Sequence, residues 1–196
     1  MRIAATAVLL ALAICVPAVA DTGAATETVQ LDSARCEAEF RIKVLWLFRI
    51  EGRFGKVAGT VTIDRGRDEG RVDATIDASS VDMDDRVYTG WVKSPEFFDV
   101  AQFPEIHFRS GAFPLRRIET GGDLPGTLTV RGIERTVSFR LDPATCPHPA
   151  YDCAVTAKAT IRRTDFGMHS RLGTLSDKVG LALRIYAVPA TARLAP

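Results

Sequence analysis

Between Gly126 and Leu141 apolar and polar residues change places at every second position. Leu128 and Val130 fall on one side against Thr127, Thr129 and Arg131; Gly132 interrupts the run, and Val137, Phe139 and Leu141 resume it against Thr136, Ser138 and Arg140. A period of two suits a pleated strand with one buried face, whereas a helix needs spacings of three and four. The stretch predicts an antiparallel hairpin, dry on one face and wet on the other.

The same grammar runs through most of the chain. Cys36, Ala38, Phe40, Ile42 and Val44 alternate with Glu37, Glu39, Arg41 and Lys43, until Leu45, Trp46, Leu47 and Phe48 break the pattern. Four apolar residues in a row mark either an end of a barrel or a place where both faces are covered. Val57, Gly59, Val61 and Ile63 carry the inner face of the next strand. A polar turn over 64–70 follows, and Val72, Ala74, Ile76 and Ala78 return beside it. Over 82–94 the two-residue period disappears. Asp84 and Asp85 suit the start of a short helix, Val87, Tyr88, Trp91 and Val92 give it an apolar side, and Pro95 ends it.

Phe97, Phe98 and Phe103 come next, and Pro104 leads into a strand through Ile106 and Phe108. Helix and aromatic cluster together are expected to plug or cap one end. Beyond the hairpin, 151–161 reads as a strand with Cys153, Val155, Ala157 and Ala159 on one face, and 164–176 reads as a loop. Val179, Leu181, Leu183, Ile185 and Ala187 form the last strand, which Pro189 stops. The sum is all-β: about eight strands in hairpin order with one short inserted helix. Eight antiparallel strands close their own edges around an interior wide enough for side chains or one slender ligand.

The first 20 residues are set apart from this pattern. Arg2 precedes an apolar run from Ile3 to Val16, then Pro17 and the small-x-small set Ala18, Val19, Ala20. These are the parts of a secretory signal peptide cleaved after Ala20. The run is too short to span a bilayer, and nothing later is longer, so no stable membrane insertion is expected. A lipid-modified Cys15 is the rival reading, disfavoured by bulky Ile14. Residues 21–28 then read as a flexible N-terminus, 29–188 as one barrel domain and 189–196 as a tail, in the periplasm or secreted.

Charge removes one class of partner. The chain has 25 Lys and Arg against 24 Asp and Glu, and losing Arg2 with the leader brings the two level. A balanced chain has no long-range field to draw in a polyanionic partner, whether nucleic acid or an anionic membrane. Of the cysteines that remain, Cys146 and Cys153 flank Pro147, His148, Pro149 and Ala150, a spacing that fits a short disulfide in an oxidising compartment. A metal site at Cys146, His148 and Cys153 would have only three ligands and lacks the usual tight pairing. Cys36 reads as a small apolar core residue.

Catalytic groups do not converge in the sequence. There is no nucleophile elbow, no phosphate-cradling glycine loop and no helix with paired histidines. His107, His148 and His169 stand in three separate contexts, although His169 in its loop is within conceivable reach of His107. Arg162, Arg163 and Asp165 form a charged knot before Phe166 and Gly167. It is either an exposed ion pair or a place where Arg163, at a cavity mouth, holds a polar head group. No catalysis, metal or cofactor is expected.

Four segments in order resemble the YceI-like family of exported polyisoprenoid-binding proteins, over about Val29 to Val188. Gly52, Phe54, Gly59, Thr60 and Ile63 are similar to its glycine-rich strand. Lys93, Ser94, Phe97, Phe98, Phe103, Pro104, Ile106, Phe108 and Ser110 are similar to its basic-Ser-x-x-Phe-Phe and Pro-x-x-x-Phe segment. Gly126, Leu128, Thr129, Arg131, Gly132 and Val137 match its hairpin, while Arg163, Asp165, Phe166, Gly167 and Met168 match its Arg-x-Asp-Phe-Gly loop, with Val179 opening the last strand. The chain departs from the family at Tyr88, Thr89, Gly90, Trp91 and Val92, where the family often has Arg-Asp-x-His-Leu. It departs again at Arg35 and Cys36, where a His-Ser pair is common. The resemblance thus carries over an apolar tube but no polar head-group contacts, and the loop of Cys146 and Cys153 belongs to a subgroup.

The resemblance implies a lipocalin-like extended barrel around a long-chain isoprenoid lipid, polyprenyl or quinone-like, without catalysis. Expected lining residues are Phe40, Ile42, Val44, Val61, Ile76, Phe108, Leu128, Val130, Val137, Phe139, Val155, Ala157, Leu181 and Leu183. Trp46, Trp91 and Phe98 are expected at a gate. Each buried methylene of such a tail gains about 0.8 kcal/mol, so a few isoprene units bind with little polar help. The alternative is a solid barrel that serves as a scaffold for an exported or membrane protein partner.

Overall fold

Residues 26–188 are described by the computed structural model, and the stretches read as leader and tail lie outside them. In chain order the strands are β1 (Thr26–Gln30), β2 (Glu37–Val44), β3 (Phe48–Phe54), β4 (Val57–Asp64), β5 (Glu69–Asp77) and β6 (Val81–Met83). After the helix α1 (Arg86–Lys93) come β7 (Glu105–Ser110) and β8 (Phe113–Pro114). A one-turn helix α2 (Arg117–Thr120) leads to β9 (Gly122–Val130), β10 (Ile133–Leu141), β11 (Val155–Arg162) and β12 (Leu175–Ile185). All pairings between these strands are antiparallel, and the sheet runs β1-β4-β5-β7-β9-β10-β11-β12-β2-β3-β6, with β8 attached to β5.

Joining β3 to β4 and β5 to β6 reduces the twelve segments to ten, and setting aside β1 and the two-residue β8 leaves the eight strands that the alternation predicts. β3 runs into β4 through Gly55 and Lys56, and β5 runs into β6 through a 3-10 turn at Ala78–Ser80. The two bent strands stay hydrogen-bonded round the corner, Gly55 N donating to Ser80 O (3.4 Å) and Asp77 N to Lys56 O (3.1 Å). The bend splays β4 away from β2, and β1 fills the gap. It pairs with β4 on one side, while Leu31 bridges Ala187 and Val188 N donates to Gln30 O (2.9 Å) on the other. β1 starts at Thr26, inside the segment read as a flexible N-terminus. Val29 is its only apolar residue, too little for a period to show.

The Gly126–Leu141 hairpin is present. Val130 pairs with Ile133 across a two-residue turn, with Arg131 (φ 53°) and Gly132 (φ 70°) both left-handed, the geometry that suits the twist of flanking strands. A left-handed arginine is uncommon. Here its guanidinium donates to Pro95 O (2.9 Å) and Phe97 O (2.5 Å), which ties the turn to the aromatic segment after α1.

α1 begins where expected: the Asp85 carboxylate accepts from Val87 N (2.6 Å) and Tyr88 N (3.4 Å), a cap worth about 1 kcal/mol. Its packing differs from the expectation. Only Val92 is buried, and Val87, Tyr88 and Trp91 face outward. The core lies inside the curled sheet, built from inward positions such as Phe40, Phe54, Phe108, Leu128, Val130 and Phe139.

Candidate functional site

Inward-facing side chains of a solid barrel would all be buried. Here they divide. Phe40, Phe108, Leu128, Val130, Phe139 and Ala157 are buried, whereas Ile42, Val61, Ile76, Val155, Leu181 and Leu183 point the same way and keep partial exposure. The surface they retain faces a cavity of about 250 Å³ inside the barrel, which all twelve of these residues line. It runs lengthwise. Val92, Phe97, Phe98, Met168 and Val179 bound one end, and Pro149, Ala150 and Tyr151 bound the other.

Size is limited by aromatic rings. Phe98 meets Phe40 edge-on at 5.8 Å and Phe54 at 5.4 Å, while Phe108 meets Phe139 edge-on at 4.9 Å. Such pairs contribute about 0.5–1.5 kcal/mol each beyond their burial. Ligand pockets are commonly about 300–1,000 Å³, so the void sits near the lower edge of that range. A dry cavity of roughly 150 Å³ takes up a benzene-sized molecule. As it stands, this one admits a short run of branched hydrocarbon.

Two expected lining residues lie elsewhere. Val44 pairs with Phe48 and Leu175 at the tip of β2, past the end of the void. Val137 packs on the core opposite Gly126 but leaves the wall to Phe139. The gate divides too. Phe98 forms part of the wall, but Trp46 (75 % exposed) and Trp91 (44 %) stand outside it on the surface of the same end.

Arg163 corrects a further expectation. Rather than offering a guanidinium at a mouth, it is 1 % exposed. Nη1 donates to Met168 O (2.7 Å), Nε to Ser176 O (3.0 Å) and Nη2 to Leu175 O (3.3 Å). Burial pushes the guanidinium down from its ordinary value, and Asp177 partly offsets that. It clamps the segment between β11 and β12, where a 3-10 turn over Arg163–Phe166 ends on left-handed Gly167. Periodicity missed this role, because a buried arginine and an exposed one occupy the same slot in the pattern.

The histidines and cysteines lie apart from the cavity. His107 sits on the outer face between Thr75 Oγ1 (3.1 Å) and Glu105 (3.1 Å), and His148 pairs with Asp152 (2.8 Å). Cys146 and Cys153 form a disulfide that fastens the Pro149–Tyr151 end. Burial pushes the Cys36 thiol up; its Sγ donates to Tyr186 O (3.3 Å) and accepts from Tyr186 N (3.2 Å). A raised, buried thiol is a poor nucleophile. Among the described residues no cluster of His, Cys, Asp or Glu has the makings of a metal site, and no helix is long and apolar enough to cross a membrane.

A profile of the YceI-like domain matches residues 29–187. The chain belongs to the YceI-like family. A UPF0312 protein of Pseudomonas paraeruginosa is 29 % identical over 154 residues, covering 76 % of this chain and 80 % of that one. Among solved structures, BcnA of Burkholderia cenocepacia superposes with a TM-score of 0.64 at 22 % identity, over 79 % of this chain and 98 % of its own. A polyisoprenoid-binding domain from Saccharophagus degradans does so with a TM-score of 0.60 at 15 % identity, over 82 % and 98 %. These likenesses establish the YceI-like fold, an antiparallel lipocalin-like barrel.

Proposed function

We propose that this YceI-like protein is a non-catalytic carrier that holds the tail of a long isoprenoid lipid inside its barrel, in the periplasm or secreted. The observation that carries the reading is the lengthwise cavity with an apolar wall. Arg163, the buried cation beside it, gives its donors to backbone carbonyls, so affinity comes from hydrocarbon burial and selection is by width and branching. The likeness to a polyisoprenoid-binding domain supports an isoprenoid over a straight chain. Export is supported by the leader-like first 20 residues and by the disulfide. A tail longer than the void needs the Phe98 ring to turn aside. The test is organic extraction of protein purified without detergent, followed by lipid mass spectrometry. A polyprenyl or quinone-like species in stoichiometric amount is the expected result. A clean extract removes the carrier reading and leaves an exported scaffold.

A further inference from the structure

The tip of the β2–β3 hairpin breaks two rules at once. Leu45 (φ 48°) and Trp46 (φ 64°) take left-handed backbone, where bulky side chains are strained and Asn-Gly is the usual choice. Yet the tip buries nothing: Leu45, Trp46, Leu47 and Phe48 are 51, 75, 82 and 64 % exposed. Strain kept without packing in return marks a segment shaped for something outside the fold.

The tip is one part of a larger apolar surface. Leu45 N donates to Thr174 O (2.7 Å), which joins it to the segment carrying exposed Leu172. Arg171 of that segment lies over the Trp91 ring (4.4 Å), and Trp91 meets Tyr88 (5.7 Å) on the exposed side of α1. This surface covers the end of the barrel that Phe97 and Phe98 close.

The charge beside the tip is lopsided. Lys43 and Arg49 face each other across β2 and β3 just below the tip, a like-charged cross-strand pair that disfavours the hairpin. Neither has an ion pair among the described residues, and nor do Arg86 and Lys93 at the two ends of α1. The carboxylates nearby are engaged: Glu51 with Arg41, Asp82 and Asp84 with Arg53, Glu96 with Arg171, and Asp85 with its helix cap. Asp99, Glu134 and Asp165, also without ion pairs there, lie on other elements of this end. Over this whole end the charges nearly balance, but directly beneath projecting Leu45, Trp46, Leu47 and Phe48 stand two cations, Lys43 and Arg49, with no anion paired to either among the described residues.

From this we infer that the end bearing Leu45–Phe48 and α1 docks on an anionic lipid bilayer surface, with the hairpin tip among the headgroups. The tip is convex, and a protein partner would need a matching pocket to cover it, whereas the soft interfacial layer accepts it as it is. Tryptophan and tyrosine favour that layer, and unpaired Lys and Arg are drawn to anionic headgroups. Docking there sets the Phe98 end of the cavity against the medium that holds isoprenoid lipids; this role, though not the surface itself, rests on the carrier reading.

The chain supplies its own probe, since its two tryptophans are Trp46 and Trp91, both on this surface. The purified protein is mixed with phosphatidylglycerol-containing vesicles and, separately, with pure phosphatidylcholine vesicles, while tryptophan emission and co-sedimentation are followed. Expected are a blue shift and quenching by bromine-labelled lipid on the anionic vesicles, reduced at about 0.5 M salt. Leu47→Glu, at a site too exposed to affect folding, weakens binding by about tenfold or more. Lys43→Glu weakens it on anionic vesicles only. Unchanged emission, undiminished binding by Leu47→Glu, or a shift that follows protein concentration without vesicles overturns the inference. Lipid extraction keeps the two proposals apart: lipid-loaded protein that ignores vesicles refutes docking alone, and empty protein that binds them refutes the carrier alone.

Discussion

The ring of Phe40 lies over the bare Cα of Gly52, its partner across β2 and β3: a β-carbon there would stand 2.4 Å from the ring. Gly126 makes the same room for Phe108, at 2.6 Å. These glycines let two phenylalanines lie flat along the wall and so leave space down the middle of the barrel. Gly52→Ala should push Phe40 into the void. The expected cost is about 1–3 kcal/mol, or roughly 2–4 °C in Tm for each kcal/mol, read by thermal unfolding. Affinity for an isoprenoid should fall with it, because the displaced ring occupies the ligand's place.

Arg163 is predicted to matter for stability and not for ligand choice. Lysine keeps the charge but cannot reach the carbonyls of Met168, Leu175 and Ser176 together. Arg163→Lys should cost about 3 kcal/mol or more in denaturant unfolding, the scale of losing hydrogen bonds from a charged donor. Affinity of the folded protein for lipid should stay within about twofold. A selective loss of affinity for lipids with one kind of head group would instead make Arg163 a ligand contact.

Asp77 sets a pH dependence at the corner where β5 turns into β6. Hydrogen bonds from Ser79, Oγ at 2.5 Å and N at 2.8 Å, hold its carboxyl below the usual range, with Lys56 (3.3 Å) adding to them. A carboxyl depressed in the folded state stabilises above its unfolded value of about 3.9, and that contribution is lost as pH falls through the folded value. The unfolding midpoint should therefore drop below about pH 4, and less steeply in Asp77→Asn, which is already weaker at pH 7.

The disulfide closes a short loop, with a sequence separation of 7 between Cys146 and Cys153. Serine at both positions should cost about 2–3 kcal/mol on the chain-entropy account. The loss should be local first. Ala150 N donates to Cys153 O (2.9 Å) and Ala187 N to Ala150 O (2.8 Å), so amide exchange should rise around Ala150 and Ala187 before it rises in β9 or β10.

Much of the fold is legible along the chain, because a barrel with one wet and one dry face writes a period of two into its strands. The hairpin at Arg131 and Gly132 and the inward set from Phe40 to Leu183, save Val44 and Val137, follow from it, and the Asp85 cap marks where that period stops. What escapes is what periodicity does not encode. β1 has one apolar residue and holds its place through backbone bonds. Arg163 is buried by the fold of its own loop. Trp46 and Trp91 read as gate residues because apolar side chains are expected to turn inward; here they cover the outside of the end that Phe98 closes. Val44 sits on the inward face but just beyond the void, and a register offset that small shows only in three dimensions.

The central claim, that an isoprenoid tail occupies the cavity, is tested most directly by equilibrium binding of a series of isoprenoid alcohols of increasing length. Affinity should tighten by about tenfold or more with each added unit until the void is full, then level off. Ala157→Phe, which fills the wall between Val155 and Leu183, should bring the plateau to a shorter chain. Affinity that ignores chain length, or a plateau that Ala157→Phe leaves in place, would contradict the account.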